Sequence, residues 1–216
     1  MSGPPGSPRP VKPSPAGIYD CLLSGHHHTP ADREAAEKAL ALAPEGRFAA
    51  QQNRAFLQRT VRYAAEHGVR QYIDIGSGFP TAGPVHEIAA QVVTRPHVVY
   101  VDYDPAVAEL SRTLVRSPDV TTIVHDLRRP WDIIDDPEVD RLIDWSQPVA
   151  ILMVAILHFV TDHDDPAEII ATFRDQLAPG CHLVLSHGCH GENPDAVEDA
   201  ARAWDTATST RRHGRR

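Results

Sequence analysis

The feature that most constrains this chain is an alternation, running from Gln71 to Ser186, of five short apolar runs with stretches of helical composition. Runs of strand length without polar alternation are buried on both faces, and crossovers long enough for a helix make such strands parallel. The spacing predicts strands at residues 71–75, 98–101, 121–125, 149–155 and 182–186, with helices at 81–93, 105–114, 137–143, 166–177 and 194–206. The expected fold class is therefore α/β, a doubly wound and mostly parallel sheet.

Upstream the pattern differs. Six prolines among residues 1–15 forbid helix and ladder alike, so an arm is expected there. Residues 16–67 carry two helical runs, 31–42 and 48–67, broken at Pro44-Glu45-Gly46. Residues 68–216 then form the α/β domain. The formal charge of −8 disfavours a broad face for phosphate backbones, so no nucleic-acid partner is expected. Cys21, Cys181 and Cys189 form no CxxC pair, which fits a reducing cytoplasm. No apolar run reaches the ~18–20 residues of a membrane span, so no membrane partner is expected either.

Chemistry concentrates where strands end. Gln71-Tyr72-Ile73-Asp74-Ile75-Gly76-Ser77-Gly78 is a strand running into a glycine turn and a helix, the context in which such a turn admits a ligand close to the backbone. A side chain at Gly76 is expected to fill the space a cofactor would use. Asp102, 28 residues beyond Asp74, closes the second strand, where an acid can accept both hydroxyls of a ribose; its structural alternative is a helix N-cap. Asp126 follows the third strand. Three acids on successive strand ends suit a neutral or cationic nucleoside better than a pyrophosphate, and Thr81 stands where a dinucleotide fingerprint has its third glycine. S-adenosylmethionine (SAM) therefore outranks NAD as cofactor.

These residues resemble the bacterial SAM-dependent methyltransferase family of unassigned substrate named simply S-adenosyl methyltransferase. The resemblance is carried by Pro13 to Gly25, Ala31 to Glu37, Asn53-Arg54-Ala55-Phe56-Leu57, Asp74 to Thr81, Val99-Tyr100-Val101-Asp102-Tyr103-Asp104-Pro105 and Ile156-Leu157-His158-Phe159-Val160. It implies a class I methyltransferase with Asp74, Gly76 and Gly78 near the methionine part of SAM and Asp102 on the ribose. It further implies Asp126 and Leu127 beside the adenine, Ala155 and its neighbours bordering the transferred methyl, and a helical lid over residues 16–67 carrying Tyr19. Two features depart from the family pattern: His26-His27-His28 replaces a polar tract, and no sixth or seventh strand is legible before Arg216.

Other candidates rest on the residues themselves. His158 follows the fourth strand, where an imidazole can act as general base or simply pack. Arg54 can pair with the SAM carboxylate through its planar fork or stand solvated on a helix. Tyr19 can touch the cofactor or anchor its segment. His26-His27-His28 and Cys181 to His190 match no zinc spacing, so no metal is expected. The expected function is methyl transfer to a small acceptor. The alternatives are a SAM binder without turnover or a nicotinamide-dependent oxidoreductase. An uncovered fifth strand would favour self-association through the sheet edge.

Overall fold

A computed structural model of the chain describes residues 12–188, together with 199 and 202. Five strands form one parallel sheet in the order β3-β2-β1-β4-β5, where β1 is Gln71–Ile75, β2 His97–Asp102, β3 Val120–Val124, β4 Val149–Val154 and β5 His182–Ser186. The chain adds β2 and β3 on one side of β1, then returns to place β4 on the other. Strand order thus reverses beside β1, and a crevice opens there at the carboxyl ends, the usual ligand position in open α/β sheets.

Alternation of side chains divides the core. Ile73, Val99, Ile151 and Met153 face one way, toward Ile133, Val139 and Phe173 of α6 (Pro130–Ile134), α7 (Pro137–Leu142) and α8 (Pro166–Arg174). Tyr72, Val98, Tyr100 and Leu152 face the other, toward Leu57 and Val61 of α3 (Gly46–Glu66) and Ile88 of α4 (Val85–Ala90). Both faces are covered, as a parallel sheet requires. A third, small core joins Ile18 and Leu22 of α1 (Pro15–Leu22) to Ala35 and Ala36 of α2 (Pro30–Leu42) and Ala50 of α3.

Several expectations shift. α1 is a helix that begins on the last proline of the expected arm, because Ser14 accepts the Gly17 N–H as N-cap and Pro15 takes the first helical position. The expected helix 81–93 shrinks to Val85–Ala90, since Ala82 (φ 52°) and Gly83 (φ 75°) are left-handed and Pro84 stands at the cap. α5 (Pro105–Leu114) matches its expected bounds. α6 was not anticipated. The expected helix 194–206, the arm residues 1–11, and Cys189 and His190 lie outside the described residues, apart from helical Asp199 and Arg202. Among the described residues all strands are parallel, and no helix is long and apolar enough to cross a membrane.

Candidate functional site

The turn after β1 is held by two backbone bonds, in which Gly76 and Ser77 donate to the Val101 carbonyl at 2.8 and 3.1 Å. Gly76 (φ 72°) and Gly78 (φ 58°) are both left-handed, so glycine is required for the turn itself. A Cβ at Gly76 would collide with the Ile156 side chain, which already lies over it. This corrects the expectation that the glycine keeps space for a cofactor: the space belongs to Ile156.

Asp102 ends β2 with 7% of its surface exposed. Its carboxylate accepts the Gly78 N–H at 3.0 Å on one oxygen and the Asp104 N–H at 3.0 Å on the other. The N-cap of α5 is instead Asp104, which accepts the Ala106 N–H at 2.9 Å. Burial pushes the Asp102 carboxyl up to about 6, while the Asp104 and Gly78 N–H groups hold it back. Asp74, 6% exposed, is pushed by burial up to about 7 against the pull of Arg54, with Asp102 adding to the rise. Two carboxyl groups that resist ionisation thus sit at the mouth of the switch point.

Arg54 reaches this place from α3. Its guanidinium lies 5.6 Å from the Tyr19 ring centroid, and its buried Nε has no hydrogen-bond partner among the described residues. A buried guanidinium N–H without an acceptor is a donor that a bound group could satisfy. Tyr19 donates its hydroxyl to the Ala50 carbonyl at 3.2 Å and accepts from Asn53 Nδ2 at 2.9 Å. Asn53 Oδ1 accepts from Ser186 Oγ at 2.6 Å, and Ser186 Oγ accepts the Ala155 N–H at 2.9 Å. One run of hydrogen bonds thus ties α1 and α3 to the ends of β5 and β4. Ala155 itself is left-handed (φ 57°), a conformation that costs a non-glycine residue about 1 kcal/mol or more and clusters at functional sites.

Asp126 differs from the other two acids. Burial raises its carboxyl, but the Arg128 guanidinium, whose Nε donates to both carboxylate oxygens at 2.9 and 3.0 Å, brings it below the ordinary range. Leu127 beside it is buried. His158 packs on Phe159 at 4.4 Å between ring centroids and meets His187 edge to face at 5.9 Å. All ten site residues expected from the sequence line one cavity of about 1230 Å³ beneath α1, α2 and α3.

The histidine tract is structural. Asp20, 3% exposed, accepts N–H groups of His27 at 2.9 Å and His28 at 3.1 Å, the His28 Nδ1 at 3.0 Å and the Thr81 hydroxyl at 3.2 Å. Among the described residues no three His, Cys, Asp or Glu groups could hold a metal. Sequence reasoning passed over Asn53, Ser186, His187 and Asp20. Asn53 stood beside Arg54 in the quoted motif and Ser186 closed a predicted strand, yet their connection spans 133 residues.

The profile of a family described as S-adenosyl methyltransferase matches residues 9–215. A candidate methyltransferase from Thermobifida fusca YX is 36% identical, with 91% of this chain and 74% of its own covered and a TM-score of 0.83. A DUF574 family protein from Streptomyces avermitilis MA-4680 is 35% identical, with 95% and 79% covered and a TM-score of 0.88. No curated protein matches.

Proposed function

The chain belongs to the S-adenosyl methyltransferase family, whose cofactor is SAM, and on that premise we propose that it is a bacterial, cytoplasmic enzyme methylating a small-molecule acceptor. The observation that carries this reading is the meeting of Arg54, Asp74 and Asp102 in one cavity, with the Arg54 Nε lacking an acceptor. The donor set fits the cofactor: Arg54 would take its carboxylate, Asp74, Gly76, Gly78 and Ala155 would border the methionine part, and Asp102 would accept from the ribose. Asp126 and Leu127 would flank the adenine, and Tyr19 on α1 would cover the site as part of a lid spanning residues 16–67. Asp102 can accept further hydrogen bonds because each carboxylate oxygen offers two lone pairs.

Bound there, SAM supplies a methyl group made electrophilic by its sulfonium. What remains for the chain is to align the acceptor, exclude water and remove a proton. His158 would receive the acceptor's proton. A dinucleotide is less well served, because the Gly78 N–H already donates to Asp102 and the helix after the turn has six residues. The outer edge of β5, unpaired among the described residues, would join two copies of the chain.

Calorimetric titration with SAM, S-adenosylhomocysteine and NAD tests the cofactor, with saturable heat expected for the first two alone. Turnover of methyl-labelled SAM against a metabolite panel tests the enzyme. Tight binding with no transfer to any acceptor would make the chain a SAM binder.

A further inference from the structure

The cavity is larger than a nucleoside cofactor needs. At about 1230 Å³ it exceeds the roughly 300–1,000 Å³ usual for a small-molecule site. One part is bounded by the groups assigned above to SAM. The rest lies beneath the helical segment, where Leu23, Leu40, Ala43, Ala49 and Phe159 supply the wall. None of the five carries a charge. Leu23, Leu40 and Phe159 are only partly buried against the small core of α1 and α2, so they keep apolar surface toward the cavity.

The polar groups of this compartment are unevenly placed. Glu45 lines the cavity from an exposed position at the start of α3. The His158 and His187 imidazoles meet at the same cavity, and the His158 ring rests on Phe159 at 4.4 Å. His158 also follows by two residues Ile156, whose side chain lies over Gly76. The imidazole pair therefore stands at the boundary between the apolar wall and the part assigned to the cofactor.

Resting on the SAM reading of the first part, we infer that the second compartment binds an apolar acceptor with a single hydroxyl, which donates its hydrogen bond to the His158–His187 pair. A charged or multiply polar acceptor would lose its water against these apolar walls, which burial penalises where partners are few. An apolar body gains from the same contact.

The test is binding of 2-naphthol to the full chain saturated with S-adenosylhomocysteine, followed by naphthol fluorescence and calorimetry, with glycine as the polar comparator. Saturable binding of naphthol and none of glycine is expected. Leu40→Glu and Ala43→Glu should each weaken naphthol by about tenfold or more, since a buried charge would face the ring, while S-adenosylhomocysteine binds within about twofold of wild type. Ala43 lies outside the apolar clusters, so its variant separates a lost subsite from a disturbed lid. His187→Phe should weaken naphthol and leave its dehydroxylated analogue naphthalene unchanged. No saturable naphthol binding, equal binding of glycine, or indifference to both glutamate variants would overturn the inference. Failure of S-adenosylhomocysteine itself to bind would instead overturn the cofactor reading beneath it.

Discussion

At Asp102 the free energy of a future contact is already partly committed to the turn, because the carboxylate fastens Gly78 and Asp104 before any ligand arrives. Asp102→Ala should therefore weaken SAM by roughly 1.5–3 kcal/mol and also loosen the glycine turn. Calorimetry with a parallel thermal melt separates the two effects. Asp74 gives a pH signature. Its folded value of about 7 lies above the ~3.9 of an unfolded aspartate, so the native state holds more protons between those limits. The contribution of this group to stability is then greatest at acid pH and is lost as pH rises through 7, which should lower the Tm of the ligand-free protein between about pH 4 and 8 relative to Asp74→Asn. Asp74→Asn should flatten the decline, stabilise the ligand-free protein at pH 8 by about 2–4 kcal/mol and impair SAM binding. An unchanged Tm-versus-pH curve would place the carboxyl in contact with water. Asp74, Asp102 and the glycines were legible because acids and glycines at strand ends are chemically conspicuous. The role of Gly76 was not: that Ile156 fills the space over it depends on β1 and β4 lying side by side, which no local pattern records. Gly76→Val should accordingly unfold the turn or the domain, visible as a lowered Tm, rather than merely block a ligand.

Among the elements, the most readable starts share a two-residue signature. Ser14-Pro15, Thr29-Pro30, Asp104-Pro105, Asp136-Pro137 and Asp165-Pro166 each place a side-chain acceptor at the N-cap and proline at the first helical position, a pairing that satisfies one orphan N–H and removes another. Read consistently, the first pair announces α1, which a proline-rich composition concealed. Helix bounds were harder, since α4 starts late, after the left-handed residues before Pro84. The α1–α2 pair depends on two buried acids: Asp20 gathers His27, His28 and Thr81, while Asp32 closes the capping box of α2 by accepting the Thr29 N–H and also accepts the Ser14 N–H at 2.7 Å. Removing Asp20 strands several donors at about 1–3 kcal/mol each. Asp20→Ala should speed amide exchange over residues 15–42 by about tenfold or more and leave residues 71–75 protected. Equal acceleration in both would show that the α1–α2 pair and the sheet open together.

For the whole molecule, the alternation of runs disclosed the class and the number of described strands, but not their order, because helices of similar length can carry the chain to either side of β1. The order leaves β5 with one free edge among the described residues, and Leu185 is 40% exposed there. The Ser186 carbonyl accepts the Ala155 N–H, so by alternation the backbone of Leu183 and Leu185 faces outward. Leu183→Pro should then cost no bond to β4, and light scattering should fall from dimer to monomer if copies pair at this edge. A monomeric wild type would exclude that pairing. The hydrogen-bonded run from Tyr19 through Asn53 and Ser186 to Ala155 has a consequence in time rather than affinity. It runs along the cavity wall from α1 to the end of β4, so a ligand whose exit needs this run to part would leave only as fast as it opens. Residence would be set by the protein's own opening rate, and ligands of very different strength would depart with similar half-lives.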